Sequence, residues 1–201
     1  MNSKLQVRQR ASCELVKAAD RVEAVTSDVK AKGRYVVEHW RDGKRINEYH
    51  FDNGIVDEGK NKLLDTMFNN ATAITAWYMS LIDNAGYTAL ADDDAYDDID
   101  QAGNGWDEFQ AYEIAANATN RGVWASDTAS GQSVTNSTVT TFDITGTATV
   151  KGLFVCGGIA NAQLKGNHEP GGLLWATALF GSGDVAVQNG DQLKVTYTVS
   201  A

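Results

Sequence analysis

The chain has 201 residues, 43% of them hydrophobic and 21% charged, which supplies apolar material for a buried core and excludes global disorder. Its formal charge of −9 is unevenly divided: residues 1–62 carry 13 Lys and Arg against 10 Asp and Glu, and residues 63–201 carry 4 against 16. An acidic body excludes a nucleic-acid partner, which needs clustered cations for phosphate, and no apolar run reaches the eighteen or so residues of a membrane-crossing helix.

Residues 1–33 read as an N-terminal arm, helical or extended. Lys4, Arg8 and Arg10 open it. Leu15, Ala18, Val22, Val25 and Val29 then recur at spacings of three and four, which places them on one stripe of a helix. Gly33 is the expected stop. So thin a stripe buries little area, so the helix needs a surface to pack on: its own domain, a neighbouring subunit or another protein. The opening residues, Met1 to Arg8, lack the apolar stretch of a secretory signal, which predicts synthesis in a cytoplasm.

Residues 34–201 read as one β-rich domain. Arg34 to Trp40 is the first strand, Asp42-Gly43 a turn, and Arg45 to Phe51 the returning strand of a hairpin. Residues 55–69 predict a helix, with Leu63, Leu64, Met67 and Phe68 on one face. Ile74 to Ile82 is dense in aromatic and apolar residues and predicts a central, buried strand. Residues 83–105 read as an acidic loop. Short strands follow over Trp106 to Tyr112, Arg121 to Ala125, Ser137 to Ile144, Thr147 to Cys156, Leu173 to Phe180 and Gln192 to Val199. The last alternates strictly, with Leu193, Val195, Tyr197 and Val199 on one face. Asn189-Gly190 before it is a hairpin signal. Together these elements predict a mainly β fold, a β-sandwich or jelly-roll-like domain with one short internal helix.

Residues that carry chemistry are sparse. The chain contains no GxSxG, HExxH or GxxxxGK[ST] pattern. His39 and His50 could face each other across the hairpin, but a zinc site needs about four ligands, so ordinary strand histidines are expected. Cys13 and Cys156 are far apart in sequence and read as unpaired thiols. Asp92, Asp93, Asp94, Asp97, Asp98, Asp100, Asp107 and Glu108 crowd one stretch. The match to a calcium loop fails because Gly103 falls at the wrong place and Phe109 stands where a bidentate Glu belongs, leaving a solvated acidic loop as the expectation. The tryptophans (Trp40, Trp77, Trp106, Trp124 and Trp175) lie in separate elements, which suits packing better than a sugar groove. Asn70, Asn117 and Asn136 open sequons that a cytoplasmic protein does not use. No catalytic residue, cofactor or metal is therefore expected.

Several blocks nevertheless belong together. They are Asn53 to Asp65; Trp77 to Asn84 with Tyr87 to Ala91; Gly105 to Phe109 with Tyr112; Ser130 to Ser137; Leu174 to Phe180; and Val187 to Thr198. In this order they resemble a family of small virion structural proteins of tailed bacteriophages. The resemblance covers residues 34–201 and leaves the arm outside it. Arg121-Gly122 departs from the Arg-Pro that family members often carry after the Tyr112 region. The resemblance implies a non-enzymatic capsid decoration (cement) protein on the outer surface of the virion head. Its partners would be the major capsid protein and other copies of itself, a trimer among the options, with no nucleic acid or membrane. Lys4, Arg8, Arg10, Leu15, Val22, Val25 and Val29 are the candidate contacts of the arm with shell or neighbouring subunit. The alternative is a tail, fibre or baseplate component that attaches to a receptor or glycan.

Overall fold

The structure, a computed structural model, describes residues 30–201. The arm contacts expected at Lys4, Arg8, Arg10, Leu15, Val22, Val25 and Val29 lie outside the described residues, as does Cys13.

Among the described residues the fold is mainly β: two antiparallel sheets face each other, with one α-helix beside them. The first sheet has the order β2–β1–β12–β8–β5, and β7 pairs with the far end of β12. Its strands are β1 (Lys32–Arg41), β2 (Lys44–Asn53), β5 (Tyr112–Glu113), β7 (Ser133–Thr135), β8 (Thr140–Ile144) and β12 (Gln192–Ser200). The second sheet has the order β10–β9–β3–β4, with β11 on β9 and β6 on β3. Its strands are β3 (Trp77–Asp83), β4 (Glu108–Phe109), β6 (Gly122–Val123), β9 (Ala148–Gly157), β10 (Leu173–Leu179) and β11 (Val185–Val187). This is the sandwich the strand pattern predicts.

Local chemistry explains the first hairpin. Asp42 and Gly43 have φ of 51° and 72°, the double positive φ of a two-residue turn that matches strand twist. β1 continues through Gly33 rather than beginning after it, so Gly33 is not a helix stop. A Cβ there would collide with Asn53 Oδ1 and the Tyr197 hydroxyl, so only glycine lets these groups approach β1.

The inner faces of the sheets meet in a core built on period-two alternation. Tyr35 and Val37 from β1 and Leu193, Val195 and Tyr197 from β12 face Met79 and Leu81 from β3 and Leu153 and Val155 from β9. Tyr35 stacks on Tyr197 with ring centroids 4.3 Å apart. The opposite residues of the second sheet are buried as well. Ile82, Phe154, Cys156 and Leu174 pack under Tyr96, Ile99, Trp106 and Ala162, which come from the long connections after β3 and β9. The second sheet is therefore covered on both faces, which is why β9 reads as a continuous apolar run rather than an alternating one.

Three expectations need correction. Trp106 to Tyr112 does not form one strand: β4 joins the second sheet and β5 the first. Asn189-Gly190 does not close a hairpin, because β11 pairs with β9 while β12 lies in the other sheet. Gly190, with φ of 92°, instead turns the chain between layers, and its N–H donates to Ile144 O at 2.9 Å. The acidic loop is not simply solvated, since Asp94 and Glu108 are buried.

Candidate functional site

The densest convergence of ionisable groups lies between the second sheet and its outer covering. Glu108 stands on β4, next to β3, and Arg121 immediately precedes β6 on the same side of that strand. Both side chains are fully buried. Arg121 Nε donates to Glu108 Oε1 at 2.9 Å and Nη2 donates to Oε2 at 2.8 Å, a bidentate pair. Arg121 Nη1 donates to the Tyr96 hydroxyl and to Ala162 O, each at 3.1 Å, and Nη2 also donates to Asn167 O at 3.0 Å. Glu108 accepts further hydrogen bonds from Ser80 Oγ at 2.5 Å and from the Gly166 N–H at 2.7 Å. The Arg121 guanidinium also lies 5.3 Å from the Phe154 ring centroid.

The surrounding groups extend the same network. Ser80 Oγ and the Tyr112 hydroxyl are 2.6 Å apart, and Lys165 Nζ donates to Tyr112 O at 2.6 Å and to Gln110 O at 2.7 Å. Asp100 accepts from the Glu108 N–H at 2.5 Å, and Asp94 accepts from Trp106 Nε1 at 3.0 Å. Glu58 accepts from the N–H groups of Tyr96 and Leu174 at 3.0 and 2.7 Å. Burial pushes the carboxyls of Glu58, Asp94 and Asp100 above their usual range. Burial also pushes the Tyr96 hydroxyl and the Cys156 thiol up to about 12. Neither is therefore an anion at neutral pH, and neither is a poised nucleophile or base. Every donor of Arg121 is spent on protein acceptors. Chemically, the cluster clamps the two long connections to the sheet.

A second buried carboxylate serves the first sheet. Asp191, at the start of β12, is fully buried. It accepts from Arg41 Nε and Nη2, each at 2.7 Å, and from the Gln188 N–H at 2.9 Å, and its Oδ2 lies 2.8 Å from His39 Nε2. The hydrogen bond from Arg41 holds the Asp191 carboxyl well below the usual carboxylate range. His39 therefore faces inward to Asp191. His50 is exposed beside Glu48, and the register pairs it with Val36, so the two histidines do not face each other.

Among the described residues no group of three or more His, Cys, Asp or Glu is arranged to hold a metal ion. The acidic residues are separated by local work: Asp98 accepts from the Ala95 N–H and from Asn104 Nδ2, while Asp100 and Glu108 face β4 and Arg121. Trp106, Trp124 and Trp175 are buried, and Lys194 Nζ covers the Trp40 ring at 4.1 Å. Asn136 takes part in the fold, with Oδ1 accepting from the Tyr197 N–H at 2.7 Å.

The surface feature that stands out is the helix α1 (Asp57–Phe68), whose only buried residue is Gly59. The apolar face read from the sequence exists, but it points to solvent: Leu63 is 39% exposed, Leu64 53%, Met67 69% and Phe68 77%. Beside it runs a groove of ≈ 980 Å³, completed by Ile55, Lys60, Asp92, Ala201 and the first described residues, Lys30 to Lys32. The sequence pattern located this face; it carried no signal for the Glu108–Arg121 pair, whose partners sit 13 positions apart across irregular chain.

The fold and its buried clusters thus define a two-sheet antiparallel sandwich with ionic clamps. No protein-family model, curated protein or solved structure matches the chain.

Proposed function

We propose that this chain is a non-enzymatic virion protein of a tailed bacteriophage that decorates the head, binding the outer surface of the major capsid protein shell as a homo-oligomer. The observation that carries this reading is where the polar residues of the resembling blocks go. Glu58, Ser80, Glu108, Tyr112 and Asp191 each come from one of those blocks, and each is consumed in a contact that holds the scaffold. That these residues hold the scaffold supports a protein whose work is adhesion. A glycan-binding tail component would use open aromatic faces; Trp77, Trp124 and Trp175 line one small groove of ≈ 290 Å³, but Trp124 and Trp175 are buried and the Trp40 ring lies under Lys194.

Physically, decoration adds contact area across capsomer junctions and resists outward pressure from packaged DNA. A stable protein–protein interface of this kind buries about 1,200–2,000 Å² in total. The test is immunogold labelling of separated heads and tails from particles that carry the chain. Label on heads at symmetry-related positions is expected; label confined to tails, or absent from particles, overturns the proposal.

A further inference from the structure

The small tryptophan-lined groove of ≈ 290 Å³ joins α1 to both sheets. Leu63, Ile74, Trp77, Trp124, Trp175 and Val199 make its wall apolar. Trp77 meets Trp175 edge to face, with ring centroids 5.7 Å apart. The indole N–H groups of Trp124 and Trp175 donate inward, to Tyr197 O at 3.1 Å and to the Tyr197 hydroxyl at 3.2 Å. These two rings therefore offer a ligand carbon surface and no donor.

A more polar groove of ≈ 470 Å³ adjoins the first. The two share Lys62, Ala73 and Ile74, and the second adds Thr72, Thr75 and Tyr78. Among the described residues, Lys62 is the only charged side chain in either wall. It is half-buried and makes no hydrogen bond or ion pair with another described residue. Residues 63–201 carry 16 Asp and Glu, yet none of them reaches these walls.

We infer that the two grooves form one binding site for a small aromatic carboxylate, with its rings in the apolar groove and its carboxylate on Lys62 Nζ. The composition is that of a ligand site: mostly apolar and aromatic walls with a few polar groups that fix orientation. Charge selects the anion. A half-buried ammonium without a counter-charge gains a charge-assisted hydrogen bond from a carboxylate and little from a neutral group. Volume selects the body. An apolar cavity of about 150 Å³ holds benzene, so ≈ 290 Å³ takes one or two fused rings. The inference does not rest on the virion role and holds or fails independently of it.

The test is an NMR titration of the full chain, following amide and indole N–H signals, with naphthoate, with uncharged naphthamide of the same shape, and with galactose. Naphthoate is expected to shift the Trp77 and Trp175 indole signals with a Kd of about 1 mM or tighter, the affinity of ordinary ligand efficiency at this size. Naphthamide on wild type, and naphthoate on Lys62→Met, should each bind about ten-fold more weakly, while Lys62→Arg stays within about three-fold of wild type. Unaltered β1 amides in the variants establish that the sandwich is folded. Equal affinity for acid and amide, equal affinity of wild type and Lys62→Met, or no shift up to about 10 mM overturns the inference. So do shifts confined to Leu64, Met67 and Phe68, which place the ligand on the outer face of α1. Galactose shifting the same indoles more strongly than naphthoate also overturns it and assigns the groove to a sugar.

Discussion

Replacing Arg121 with methionine is the sharpest perturbation of the scaffold. Methionine keeps much of the volume and removes the guanidinium. Glu108 then retains hydrogen bonds from Ser80 and Gly166 but loses its counter-charge while fully buried. Removing one partner of a buried ion pair costs about 3–5 kcal/mol, because the survivor is left uncompensated. Ala162 O and Asn167 O lose donors as well, each worth about 1–3 kcal/mol when buried. The losses overlap, and the expected total is about 5 kcal/mol, or roughly 10–20 °C in Tm for a chain of this size. The assay is reversible urea unfolding followed by far-UV circular dichroism. Glu108→Gln/Arg121→Met should recover part of the loss, giving a coupling energy of about 2 kcal/mol or more in a double-mutant cycle. A loss below about 1 kcal/mol for Arg121→Met, or purely additive variants, would refute the reasoning that this pair clamps the outer layer to the sheet.

Asp191→Asn should destabilise by about 1.5–3 kcal/mol at neutral pH, the scale of hydrogen bonds to a charged group. The sign of its pH dependence follows from Arg41 lowering the folded carboxyl: the unfolded chain, titrating near pH 4, takes the proton first. The stabilisation is present above about pH 4 and lost as pH falls below it, so wild type and Asp191→Asn should converge in acid. Glu58, Asp94 and Asp100, raised by burial, contribute the opposite slope, with stability falling as pH rises through their folded values; the difference between wild type and variant removes their contribution. Gly59→Ala places a Cβ 2.5 Å from Trp175 O and 2.8 Å from Ile55 Cγ2, so α1 must lift off β10 at about 1–3 kcal/mol, read as faster hydrogen exchange in α1. In a Cys13→Ser background, Cys156 should react with a thiol reagent at pH 8 only as fast as the protein opens, because burial pushes its thiol up to about 12; immediate reaction would contradict the burial.

Much of the sandwich was legible because period two survives wherever one face is buried and the other wet. β12 announced itself through Leu193, Val195 and Tyr197, and the first hairpin through Asp42-Gly43. The two-residue strands β4 and β5 were not legible, since two residues carry no period and their assignment to opposite sheets is decided by tertiary pairing. The outer core was missed for a related reason. Tyr96, Ile99 and Trp106 are isolated among aspartates and glycines, and only the folded sheet beneath gathers them. The inward turn of His39 depends on Asp191, which lies 152 positions away. For α1 the pattern gave the right face but not its surroundings, because periodicity marks which residues share a side and says nothing about what lies opposite.

Adhesion to a head shell is measured by adding the purified chain to purified heads that lack it and counting bound copies per major capsid protein. Saturable binding at a fixed, simple ratio set by the symmetry of the shell is expected. Binding that never saturates, or that is absent from heads and present on tails, would contradict it.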